Sequence, residues 1–68
     1  MGVGRKIAEV RKQKGLTQKY IATKMNKTYQ WLSNIEREKQ SISADKLAQV
    51  ANILDVSPSI FFNNTGTE

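Results

Sequence analysis

The stretch TQKYIATKMNKTYQWLSNIE, residues 17–36, reads as two short helical runs hinged at Met25-Asn26-Lys27. Thr17 offers a side-chain oxygen to cap a helix over residues 18–25, in which Ile21, Ala22 and Met25 face inward with Leu16 just before it. Such an oxygen accepts from a backbone N–H of the first turn that has no partner within the helix. Asn26 tolerates the left-handed backbone that closes a helix, and Thr28 caps the next one, over residues 29–37. Stop and start signals this close together predict two helices joined by a tight turn.

Outward from this pair, Val3, Ile7 and Val10 recur at i, i+4 and i+7, predicting a first helix over residues 3–14 with Gly15 as its stop. After the polar link EKQSIS, Ser43 caps a fourth helix over residues 44–54, with Leu47, Val50, Ala51 and Leu54 in a single apolar stripe. In DVSPSIFF, Ser57 takes the N-cap and Pro58 the first position of a fifth helix, over residues 58–62, where a missing N–H costs nothing. Residues 63–68 are polar and read as a flexible tail. No segment alternates with period two. The expected fold is all-α, a compact five-helix bundle forming one domain over residues 1–62.

Composition narrows the function. The chain has 68 residues and lacks both cysteine and histidine, which excludes disulfides, thiolate metal sites and histidine acid-base chemistry. Its acidic residues are few, and no nucleophile sits beside a plausible base, so no enzyme, cofactor or metal is expected. No apolar run approaches the ~18 residues a membrane span needs, and no apolar signal segment opens the chain. A soluble, unprocessed protein of the cytoplasm is the expectation. Residues 1–39 carry ten Lys/Arg against three acidic residues, and residues 40–68 carry one against three. A basic working surface in the first half points either to a polyanionic partner or to a solvated lysine surface.

On a wheel of about 100° per residue, Leu32 and Ile35, with Thr28, fall on one side of the third helix, and Gln30, Ser33, Asn34 and Arg37 on the other. Ordinary solvent faces are filled with Lys and Glu. Amide side chains instead pair bidentately with adenine in the DNA major groove, and serine bonds either base type. Thr17, Gln18, Lys27, Thr28, Arg37 and Lys39 flank this face as candidate phosphate contacts, helped by the N–H groups at the starts of the second and third helices. The alternative is a face that is merely hydrophilic.

Residues 16–39, LTQKYIATKMNKTYQWLSNIEREK, resemble the helix-turn-helix of the phage Cro/repressor-like (XRE) family of bacterial transcription regulators. Counting from Gln18, that family has a small residue at the fifth place, a left-handed-tolerant one at the ninth, and apolar ones at the fourth, eighth, fifteenth and eighteenth. Ala22, Asn26, Ile21, Met25, Leu32 and Ile35 comply. Lys27 departs, standing where the family has an apolar residue that seals the turn, and Asn26 replaces the more usual glycine. Either the turn is looser, or Lys27 folds outward to a phosphate.

The resemblance implies a lambda-repressor-like fold and a bacterial or phage-encoded regulator of double-stranded DNA. It also implies a structural salt bridge between Glu36 and Arg11, whose guanidinium otherwise lies on the inward stripe of the first helix. Tyr29 opens the reading helix where family members contact a base edge; the alternative is packing onto the second helix beside Tyr20. Trp31 borders both faces and reads either as half-buried with its N–H near a phosphate or as a base contact. Within the family, the IEREKQSIS link and the IFF ending look similar to restriction-modification controller proteins and small phage-type repressors.

One short helix reads few base pairs, and helix-turn-helix proteins pair across half-sites about 34 Å apart. A domain this thin can bury Val56 and one phenylalanine, but Ile60, Phe61 and Phe62 together are an excess for a terminal turn and so are the expected homodimer surface; the alternative is that all of them cap the core from below. The expected function is a sequence-specific DNA-binding transcription regulator. An antitoxin-like or antirepressor-binding protein-interaction module with incidental DNA affinity is the alternative.

Overall fold

A computed structural model describes residues 2–62, and the tail expected over residues 63–68 lies outside the described residues. The described chain is all-α, with four helices: α1 (Val3–Gln13), α2 (Gln18–Lys24), α3 (Tyr29–Glu36) and α4 (Ala44–Leu54). Thr17, Thr28 and Ser43 cap α2, α3 and α4, each side chain accepting from the backbone N–H three residues on.

The expected fifth helix is corrected to a single 3₁₀ turn, Pro58–Phe61. Ile60 N donates to Ser57 O and Phe62 N to Ser59 O, a three-residue bonding step. A segment this short, with Pro58 at its start, cannot build the i→i−4 ladder that repays the nucleation of an α-helix. Elsewhere Lys14, Met25 and Arg37 are C-caps and not helical residues, so three helices end one residue earlier than the spacing predicts.

All four helices stop by one device. A residue just past each helix takes positive φ: Gly15 at 72°, Asn26 at 61°, Glu38 at 64° and Asp55 at 61°. The following N–H then reaches back five residues to a terminal carbonyl: Leu16 to Arg11 O at 3.1 Å, Lys27 to Ala22 O at 2.8 Å, Lys39 to Asn34 O at 2.9 Å and Val56 to Ala51 O at 3.0 Å. These bonds satisfy carbonyls that have no partner inside the helix and reverse the chain sharply enough for the next element to pack.

Ile7, Val10, Ile21, Met25, Leu32, Ile35, Leu47, Val50, Ala51, Leu54 and Phe61 form one core cluster. Removing a Leu, Ile or Phe side chain from water contributes about 1.5–3 kcal/mol, so these few residues dominate stability. Val3, Leu16, Trp31, Ile42, Ile53, Val56 and Ile60 pack around them, partly buried. Phe61 is only 2% exposed, which corrects its assignment to a dimer surface: the 3₁₀ turn swings its ring into the core beneath α1 and α4, leaving Ile60 partly buried and Phe62 51% exposed.

Two close approaches set how α3 lies. Ala22, 1% exposed, lets α2 and α3 meet closely. Gly4, buried in the first turn of α1, packs against main chain at the end of α3, and a Cβ there would overlap the carbonyl oxygen of Ile35. Gly4→Ala is therefore expected to destabilise the domain by about 1–3 kcal/mol, read as a lower urea midpoint with an unchanged slope. Wild-type stability in that variant would show that the two helices part without penalty.

Candidate nucleic-acid interface

The outer face of α3 is polar. Gln30 and Tyr29 are exposed, Tyr29 to 57%, while Ser33 and Asn34 are half-buried on the same helix. Gln30 Nε2 donates to Asn34 Oδ1 at 3.5 Å, and Arg37 Nη2 donates to the same oxygen at 3.4 Å. Both bonds lie beyond the usual range for N–H···O, so they organise the side chains loosely and exchange readily for a better partner. The result is a row of amide and hydroxyl groups whose hydrogen-bonding capacity is largely unspent within the chain.

The flanking residues differ in how firmly the fold engages them. Lys27, Arg37 and Lys39 are exposed around the two ends of α3. Thr17 and Thr28 accept from Tyr20 N at 3.0 Å and from Trp31 N at 3.3 Å, leaving each hydroxyl hydrogen available to an outside acceptor. Lys27 points outward, with Nζ 5.7 Å from the centroid of the Trp31 ring, and Trp31 itself is half-buried against the core. The turn stays tight through its backbone, by the Lys27 N–Ala22 O bond. Tyr20 and Tyr29 are both exposed, and the Tyr20 ring carries Lys24 at 5.3 Å.

Gln18 is engaged. Its Nε2 donates at 2.8 Å to Glu36 Oε1, and Glu36 also accepts from Arg11 Nε at 2.7 Å and Arg11 Nη2 at 3.0 Å. Arg11 Nη1 donates to Leu16 O at 2.8 Å. Arg11 and Glu36 are both buried, with side-chain exposures of 11% and 5%. Removing a carboxylate or guanidinium from water costs several kcal/mol unless its hydrogen-bonding groups are satisfied. Here the bidentate pair, the Gln18 amide and the Leu16 carbonyl satisfy them, tying α1, α2 and α3 at one point.

Sequence reasoning missed Glu38 and Gly4. Glu38 Oε2 accepts from Arg5 N at 3.0 Å, so a residue just past α3 caps the first turn of α1 across 33 positions of sequence. Gly2, the N-cap of α1, has no side chain to do this. Nothing local in REKQ marks the role; only the approach of Gly4 to Ile35 brings the two ends together.

Among the described residues no group of three His, Cys, Asp or Glu side chains is placed to hold a metal ion, and no helix is long and apolar enough to cross a membrane. A family model described as helix-turn-helix matches residues 7–61, from α1 through the 3₁₀ turn. The chain belongs to the helix-turn-helix family, of the Cro/repressor (XRE) type. This helix-turn-helix chain is 37% identical over 57 residues to the HTH-type transcriptional regulator ImmR of Bacillus subtilis (strain 168), covering 84% of this chain and 45% of that protein. It is also 37% identical over 59 residues to the immunity repressor protein of Bacillus phage phi105, covering 87% of this chain and 41% of the repressor. The helix-turn-helix chain thus spans less than half the length of these two relatives. No solved structure matches it.

Glu36→Ala is expected to lower stability by about 3–5 kcal/mol, because it strands the Arg11 guanidinium in the interior. Replacing both partners, Arg11→Met with Glu36→Leu, should recover most of that loss in chemical denaturation. A double variant as unstable as the sum of its single changes would mean that the pair contributes nothing as a pair.

Proposed function

We propose that this helix-turn-helix chain is a sequence-specific double-stranded DNA-binding transcription regulator that inserts α3 into the major groove. The observation that carries the reading is the polar row of α3. Gln30, Ser33 and Asn34 occupy the face turned away from Leu32 and Ile35, with exposed Tyr29 at its border, and the fold makes little use of their polar groups. In the groove, Gln30 and Asn34 take base edges by amide pairing and Ser33 by its hydroxyl, while Tyr29 offers its ring to a thymine methyl.

Thr17, Lys27, Thr28, Trp31, Arg37 and Lys39 are assigned to the sugar-phosphate backbone, where contacts set register and not sequence. Gln18 keeps a place in that set through its amide, one hydrogen of which holds Glu36 and the other of which is left for a phosphate oxygen. The names of the two relatives, a transcriptional regulator and an immunity repressor from Bacillus and its phage, agree with a cytoplasmic regulator of bacterial or phage origin.

The regulator acts as a homodimer on a pseudo-palindromic operator. Its twofold contact is assigned to Ile60 and Phe62, which lie at the end of the fold formed by α4 and the 3₁₀ turn. Dimerisation places two reading helices on half-sites about one helical turn apart, adding the affinity that a single short helix lacks.

Selection of bound sequences from a random duplex pool is expected to return an enriched, twofold-symmetric motif. On that motif Gln30→Ala or Asn34→Ala should each weaken binding by about 1–3 kcal/mol, with little change on random DNA. Lys27→Ala should weaken both alike. A pool that emerges without enrichment, or equal losses on every sequence from all three changes, would sink the reading.

A further inference from the structure

The phosphate contacts assigned above come from α2, the turn and the ends of α3, and none comes from α1. Yet a groove of about 780 Å³ runs between α1 and α3, with Ser33 and Arg37 on the α3 side. Exposed Arg5 and Lys12 stand on its α1 side, and the buried Arg11–Glu36 pair forms its floor. Arg5, Ala8, Glu9 and Lys12 lie at i, i+3, i+4 and i+7, so one stripe of α1 faces this opening.

The geometry points to this groove as the seat of one DNA strand, with Arg5 and Lys12 as positioning residues that act with Arg37 on its phosphates. The inference rests on the DNA-binding reading and deepens it. Ser33 both lines the groove and belongs to the reading row, so a strand beside an inserted α3 passes between α3 and α1. Arg5 and Lys12 are separated by about 10 Å along the helix axis, and the charges of one strand recur about every 3.4 Å of duplex axis, so the two cations engage different phosphates. On the opposite flank, Thr28, Lys27 and Trp31 line a separate groove with Thr23 and Asn26. The reading helix is thus bordered by a groove on each side, the one beside α1 carrying Arg5, Lys12 and Arg37 and the other Lys27, one for each strand of a major groove.

Glu9 is the one carboxylate on the exposed stripe. Lys6 Nζ stands 3.6 Å from its Oε1, which partly offsets the repulsion a phosphate would feel. Its presence gives the inference a consequence of opposite sign: neutralising Glu9 strengthens binding.

The test measures fluorescence anisotropy across a range of salt concentrations, on a duplex that wild-type protein has selected and on a random duplex. The full chain carries Arg5→Gln, Lys12→Gln, Glu9→Gln or Lys14→Gln. The last removes the same charge from an exposed position outside the groove. Arg5→Gln and Lys12→Gln are each expected to weaken binding several-fold on both duplexes and to flatten the slope of log K against log salt by about 0.9. Glu9→Gln should tighten binding several-fold on both, and Lys14→Gln should leave the slope near wild type. Wild-type protein that binds its duplex with a steep salt slope unchanged by Arg5→Gln and Lys12→Gln overturns the strand seat alone. So does an equal flattening by Lys14→Gln. Wild-type protein that binds no duplex overturns the DNA-binding reading and this inference together.

Discussion

Everything in the domain converges on the Arg11–Glu36 pair. Glu36 is the last residue of α3, Arg11 lies in the last turn of α1, and Gln18 opens α2. Three helices are therefore pinned by a carboxylate that accepts from two of them, while Arg11 Nη1 holds the Leu16 carbonyl between α1 and α2. An apolar contact at that place would hold the helices together but would tolerate rotation. A bidentate pair has one good geometry, so the orientation of α3 is specified as well as its position. The same knot floors the channel between α1 and α3, placing structural rigidity directly beneath the surface assigned to DNA.

The elements of the fold were legible because their signals are local. Thr17, Thr28 and Ser43 announce helix starts within three residues of the N–H groups they satisfy, and Gly15 and Asn26 announce stops through backbone conformations that few residues adopt. Glu38 takes the same left-handed conformation without being an obvious choice for it, so its role could not be read from residue type, whereas Asp55 is of a type that tolerates it. The last segment misled for a physical reason. Ser57-Pro58 is a sound start signal, but a start signal does not report how many turns follow, and the chain supplies only enough for a 3₁₀ turn.

The candidate site was legible in one respect and opaque in another. Periodicity alone separates Leu32 and Ile35 from Gln30, Ser33 and Asn34, because burial on a helix follows its 3.6-residue repeat. What periodicity does not carry is which polar groups are taken up inside the fold. The sequence marks Gln18 as a candidate phosphate contact but does not reveal that its amide also holds Glu36, 18 residues away. Phe61 and Phe62 are neighbours in sequence and of the same type, yet one is core and the other is surface, since a tight turn sends consecutive side chains in different directions. The channel beside α1 likewise exists only once two helices separated in sequence are packed together.

The contact between Gly4 and the main chain of Ile35 has a bearing on how such a domain diversifies. Together with Ala22 and the Arg11–Glu36 pair it seats α3 from the inner side of the helix. Residues on the outer side take little part in that seating. The scaffold and the surface proposed to read DNA are consequently separable: substitutions at the outward positions leave the mount that carries them as it is.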